Sequence, residues 1–167
     1  SRSTYAQVCA LPTADSARLV AACFRQMVAI GAIVFLAGAL LSPLIPVVYT
    51  ADFAPAMVPF VLLLAGRMIQ NAGWMLPAFF TGHLRKPQVP LVVNWIFMPV
   101  LGLFAWLAMR HGTLAGVALA TAAGYTLHTA AFVWLFLARQ NHVGWKDLFL
   151  PTWDDFRPWM RLLRRIV

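Results

Sequence analysis

A charged side chain stands inside a strongly apolar stretch of this sequence. Arg67 lies within the run LLLAGRMIQNAGWML, which covers residues 62–76. An arginine in lipid is costly, and such residues usually face the protein interior or a water-filled cavity. Gln70, Asn71 and Trp74 follow Arg67 three, four and seven positions later. These spacings predict that all four side chains share one helix face, which lines a cavity or contacts protein.

A second polar row occurs in the last apolar stretch of the chain. Thr121, Tyr125 and His128 recur there at helical spacing. Asn94, in the preceding apolar stretch, is expected to face the same cavity, at a position nearer the cytoplasm. The sequence therefore predicts that polar side chains from three helices line one space within the membrane.

The chemistry of these side chains favours an anionic ligand, because the planar donors of a guanidinium suit phosphate well. Two alternatives remain open. In the first, Arg67 has a structural role and donates to backbone carbonyls or to a polar partner on another helix. In the second, Arg67 and His128 serve catalysis or proton relay, since histidine titrates near neutral pH. The predicted substrate-binding residues are Arg67, Gln70, Asn71, Trp74, Tyr125 and His128.

The composition indicates a membrane protein. Of the 167 residues, 62% are hydrophobic and only 11% are charged, whereas a soluble domain carries about 25% charged residues. The net charge of +8 comes from basic residues that lie between apolar runs, so membrane topology explains it better than nucleic-acid binding. The chain has no glutamate, and its five aspartates lie outside the apolar runs. Paired-acid or metal chemistry is therefore hard to build from these residues, and we predict no catalytic, cofactor-binding or metal site.

Four stretches are long enough to cross a bilayer, which takes about 20 mostly apolar residues. The sequence thus predicts an all-α integral membrane bundle of four transmembrane helices. A cytoplasmic amphipathic linker is expected at 1–25 and a basic cytoplasmic tail at 139–167, with the tail held on anionic membrane lipid. The transmembrane region is 26–138, with helices at about 26–50, 56–82, 89–109 and 112–138.

Lysine and arginine residues set the expected orientation. Their numbers in the five segments outside the spans run three, none, two, one and six from the N-terminus. Since basic loops stay on the cytoplasmic side, both termini are predicted to be cytoplasmic.

Pro77 and Pro99 predict kinks in the second and third helices. The row Gly116, Ala120 and Gly124 predicts close approach of another helix to the fourth.

Three stretches resemble polysaccharide (O-antigen type) flippases. The run LSPLIPVVYTADFAPAMVPFVLLLAG resembles a helix end, outer loop and next helix of that family, with the pattern lsp-l-p-lyg-eFapa matched at Leu41, Ser42, Pro43, Tyr49, Phe53, Ala54 and Pro55. The run TGHLRKPQVPLVVNW is similar to its cytoplasmic nG-grp loop, matched at Gly82, Arg85, Lys86 and Pro87. The run RHGTLAGVALATAAGY resembles yGi-GaAlAt-isy, matched at Gly112, Gly116, Ala118, Ala120, Thr121 and Tyr125.

The resemblance implies the multidrug/oligosaccharidyl-lipid/polysaccharide exporter superfamily, whose members have two six-helix lobes around a central cavity and work by alternating access. The chain would be the last four helices of the second lobe of a bacterial inner-membrane flippase for undecaprenyl-pyrophosphate-linked oligosaccharides. Such a protein serves lipopolysaccharide or exopolysaccharide biosynthesis. The expected partners are the lipid-linked oligosaccharide, anionic lipids and an N-terminal lobe. The alternatives are a drug or ion exporter of this superfamily, a membrane acyl- or phosphotransferase, and a four-helix protein that works as an oligomer.

Overall fold

The computed structural model describes residues 4–110 and 112–150. All regular elements in these residues are helical. Short 3-10 helices cover Ser42–Leu44 and Ala51–Ala56, and a π-helical segment covers Phe79–His83. The α-helices are α1 (Thr4–Ala10), α2 (Thr13–Leu41), α3 (Ile45–Val48), α4 (Met57–Ala72), α5 (Met75–Ala78), α6 (Gln88–Arg110), α7 (Leu114–Arg139) and α8 (Trp145–Phe149).

Within residues 4–110 and 112–150, four helical stretches are long and apolar enough to cross a membrane: Thr13–Val48, Ala51–His83, Gln88–Arg110 and Leu114–Arg139. The protein is therefore a multi-pass membrane protein, and the prediction of an all-α bundle with four spans is confirmed. Each observed stretch overlaps one predicted span and extends beyond it at one end or both.

The first span begins earlier than its apolar run. Helix α2 starts at Thr13 and continues without a break into the membrane segment, so much of the stretch predicted as a linker (1–25) belongs to the same helix. Ala17, Val20, Ala21 and Phe24 follow helical spacing and are buried. Burial of this apolar face in the core stabilises the additional helical turns. The arginines in the same segment make it too polar to be recognised from the sequence as membrane-spanning.

The part of the predicted tail that the structure describes packs back onto the bundle. Leu148 of α8 is fully buried, and the Arg25 guanidinium of α2 donates to the backbone carbonyl of Asp147. Ring contact between Phe24 and Phe149, with centroids 5.4 Å apart, joins the same two helices. The remainder of the tail, 151–167, including the basic stretch predicted to lie on lipid, is outside the described residues.

The buried core lies at one end of the bundle, which we call the core end. It combines the beginning of α2 with the ends of the second and fourth spans, and its largest side chains are aromatic. Phe79 and Phe136 meet edge to face with ring centroids 5.0 Å apart. Away from this end, the outer parts of the helices expose large apolar side chains such as Leu40 and Val47, as expected where lipid replaces water.

The second span is broken past its midpoint. Helix α4 ends at Ala72, Gly73 and Trp74 form a turn, and α5 begins at Met75. Pro77 explains the break, because it cannot donate and its ring clashes with the carbonyl four residues earlier, that of Gly73. The freed Gly73 carbonyl accepts from the Leu76 amide at 3.0 Å instead. Helix α6, by contrast, continues across Pro99.

Helix α4 packs on α2 and α7, and α7 also packs on α6. The predicted small-residue row on α7 serves this packing in part. Gly124 faces Leu101 of α6, whose Cδ1 would lie 2.1 Å from a Cβ at position 124. Gly116 meets the hydroxyl of Thr113, which caps α7 by accepting from the Gly116 amide at 3.2 Å. Helix α4 meets α7 outside this row, where a Cβ on Gly66 would lie 2.5 Å from the Cα of Ala122.

Candidate functional site

Residues of α4, α6 and α7 line a groove on one side of the bundle. Its volume is about 470 Å³, within the usual range for small-molecule sites. The side chains of Arg67, Asn71, Trp74 and Asn94 are exposed along it, so the groove is open rather than enclosed. The break after α4 adds to its wall, because Gly73, Trp74, Pro77 and Ala78 all lie on it.

The structure brings the six predicted site residues together. Five line the groove directly: Arg67, Gln70, Asn71, Trp74 and His128. Tyr125 lines a smaller cavity of about 30 Å³ that shares Gln70, Met98 and His128 with the groove. Their proximity is a structural finding, whereas their role in binding a substrate stays a prediction.

Arg67 is the central residue of the 33-residue span Ala51–His83. Its Nη1 donates to Oε1 of Gln70, one turn further along α4, at 2.5 Å. This bond uses one of the five guanidinium N–H groups, and the side chain as a whole remains exposed. Among the described residues, Gln70 is the hydrogen-bond partner of Arg67, so the guanidinium keeps donors for a ligand.

His128 is held from two helices. Its Nε2 lies 2.9 Å from Oδ1 of Asn94, which joins α7 to α6. The rings of Phe97 and Phe132 meet the imidazole edge to face, with centroids 5.7 and 5.0 Å away. Asn94 thus belongs to the groove, as the sequence predicted, and these three neighbours fix the orientation of the imidazole.

Trp74 gives the groove a broad aromatic surface. It is 78% exposed, although it stands within a membrane-spanning stretch. The break between α4 and α5 places it on the groove, beside the exposed amide of Asn71. A tryptophan at such a position offers an apolar face together with one N–H donor.

The structure adds residues that the sequence pattern did not single out. Thr129 is buried on the groove and its hydroxyl lies 3.5 Å from the carbonyl of Ile69 on α4. Thr121, which the predicted row included, bonds to Val117 on its own helix at 2.8 Å and does not line the groove. Thr129 directly follows His128 in the sequence. The spacing of polar residues on α7 does not show which face of this helix lines the groove, whereas the packing of α4 on α7 does. Thr81, Met98 and Phe132 also line it.

The groove has a positive electrostatic character. Among its described lining residues, Arg67 carries a permanent charge, His128 can acquire one, and none is a carboxylate. Within residues 4–110 and 112–150, no group of three or more potential metal ligands occurs. The arrangement is therefore suited to binding an anion through a guanidinium and neutral hydrogen-bonding groups.

Comparison of the chain with protein-family models, with curated proteins and with solved structures finds no match. The resemblance to polysaccharide flippases accordingly stays a prediction.

Proposed function

We propose that this chain is part of a membrane flippase that moves a lipid-linked oligosaccharide across the bilayer, and that the groove binds the anionic headgroup of this lipid. In this proposal the chain forms the C-terminal four spans of a polysaccharide flippase in the bacterial inner membrane. Alternating access would expose the groove first to one side of the membrane and then to the other.

The observation that carries the proposal is the exposure of Arg67 at the centre of its span. A guanidinium at this depth is unfavourable in hydrocarbon and is normally accommodated in a protein-lined, water-filled cavity. The bond to Gln70 orients the guanidinium, which lowers the entropy cost of binding a phosphate through two parallel donors.

The other lining residues suit the sugar and the lipid tail. Asn71, Asn94 and His128 supply further hydrogen-bonding groups, and Trp74 supplies an aromatic face. The open side of the groove would let an isoprenyl tail stay in the bilayer while the headgroup occupies the polar space. A groove of about 470 Å³ has room for the pyrophosphate that joins lipid and sugar and for the sugar next to it. Further helices of the same protein would complete the path of the oligosaccharide across the membrane.

The positive groove disfavours one of the alternatives. An exporter of cationic drugs would be expected to place a carboxylate in its cavity, whereas the described residues of this groove include Arg67 and no carboxylate.

The distribution of lysine and arginine supports a membrane orientation with both termini in the cytoplasm. A cysteine introduced at position 86 should then react with a membrane-impermeant thiol reagent only from the cytoplasmic side, and labelling from outside would reverse the orientation.

Translocation by the full-length protein in vesicles tests the proposal. The substrate is a short-chain isoprenyl pyrophosphate carrying a fluorescent sugar, and the readout is its movement between leaflets. We expect Arg67→Ala to abolish movement and Arg67→Lys to restore it poorly, because lysine keeps the charge but loses the planar pair of donors. Arg110→Gln is the matched control, since Arg110 stacks on Trp106 at the end of α6. Unchanged movement by Arg67→Ala would refute the proposal.

A further inference from the structure

We propose that His128 takes up a proton when a dianionic headgroup binds and supplies the second positive charge of the site. This inference rests on the proposed function, because it concerns the same groove. In this role, His128 binds a proton when the ligand binds and does not remain a neutral hydrogen-bonding residue.

The charge balance of the groove is the first argument. A pyrophosphate that links a lipid to a sugar carries two negative charges, and Arg67 neutralises one. Removing an unpaired charge from bulk water is costly, and the cost falls when a partner of opposite charge is present. Among the described lining residues, His128 is the other side chain that can become positive.

The hydrogen bond of His128 is the second argument. With Nε2–H donating to Oδ1 of Asn94 at 2.9 Å, the neutral ring keeps an unprotonated Nδ1. That nitrogen can accept a proton while the bond to Asn94 remains, since both ring nitrogens are donors in the cation. The edge-to-face contacts with Phe97 and Phe132 hold the ring in place in both states.

The surrounding charges are the third argument. The titratable or charged groups that line the two cavities with His128 are Arg67 on α4 and the phenol of Tyr125 on α7, while α6 contributes Asn94, Phe97 and Met98. In the empty groove, Arg67 opposes a second positive charge. A bound dianion reverses this field, so ligand and proton each favour the binding of the other by the same factor.

Proton uptake on binding tests the inference in the full-length protein. The probe is a farnesyl pyrophosphoryl sugar, a diester whose charge is constant between pH 6 and 8. Calorimetry in buffers of different ionisation enthalpy should show net proton uptake near pH 7.5, and affinity should rise about tenfold from pH 8 to pH 6. The corresponding phosphoryl sugar, which carries one negative charge, should take up fewer protons.

The variants separate this inference from the proposed function. His128→Gln can still donate to Asn94, and it should bind the probe with a pH-independent affinity and without proton uptake. His142→Gln, outside the groove, should behave as the wild type. If His128→Gln keeps the proton uptake and pH dependence, the inference is wrong while the proposed function stands. If the wild-type protein does not bind the probe at any pH, both are wrong.

Discussion

Gly66 of α4 lies directly against Ala122 of α7. A Cβ at position 66 would stand 2.5 Å from the Cα of Ala122 and 2.8 Å from its Cβ, so the two backbones meet where only glycine fits. Gly66 immediately precedes Arg67 in the sequence, and the contact therefore sets how far the charged side chain stands from α7. The site geometry depends on this crossing.

Replacing Gly66 with alanine should destabilise the protein and displace α4 from α7. The added methyl would meet backbone atoms, which cannot rotate away, and overpacking of this kind costs about 1–3 kcal/mol. Gly102→Ala is the matched control, because, apart from its chain neighbours and the backbone of its own helix, no atom of the described residues lies within 4 Å of a Cβ there. Thermal unfolding in detergent compares the two variants, and equal loss of stability would contradict the close crossing.

The bond between Asn94 and His128 should couple α6 to α7 energetically. A double-mutant cycle of Asn94→Ala and His128→Ala, measured by unfolding in detergent, should give a coupling free energy of about 0.6 kcal/mol and at most about 1.7 kcal/mol. Thr126→Ala serves as the control partner for Asn94→Ala, since the Thr126 hydroxyl bonds to Ala122 on its own helix. Additive effects in both cycles would show that the interhelical bond is absent.

Phe136 should contribute much of the stability of the core end. It is fully buried and meets Phe79 edge to face, so Phe136→Ala should lower the free energy of unfolding by about 3–5 kcal/mol. Trp134, two residues earlier on α7, is 67% exposed. Trp134→Ala should therefore leave the free energy of unfolding nearly unchanged when the two variants are unfolded in the same detergent. A similar loss in both would place the core elsewhere.

Hydropathy is sufficient to predict the four spans but not their internal breaks. A bilayer selects apolar stretches of a given length, and each predicted span has a counterpart in the structure. The second span breaks near Pro77, whereas α6 continues across Pro99. Whether a proline breaks a membrane helix depends on which neighbouring groups satisfy the backbone carbonyl that it frees, and hydropathy carries no information about those groups. The start of α2 at Thr13 depends on burial against other elements, which the sequence of one segment does not contain.

The candidate site could be predicted in part because polar side chains are rare within membrane stretches. Helical spacing relates Arg67 to Gln70 and Asn71 on one turn of α4. Spacing alone does not show how α7 is rotated relative to α4. For that reason the sequence favours Thr121, while the structure places Thr129 on the groove.

The central claim is that Arg67 binds an anionic headgroup in the groove. Its most direct test is the affinity of the full-length protein for the farnesyl pyrophosphoryl sugar at constant pH and salt, with Arg67→Gln compared with Arg110→Gln. The loss of charge-assisted hydrogen bonds should weaken binding by about 10- to 100-fold in Arg67→Gln, and Arg110→Gln should bind as the wild type does. Equal affinity of Arg67→Gln and the wild-type protein would contradict the claim.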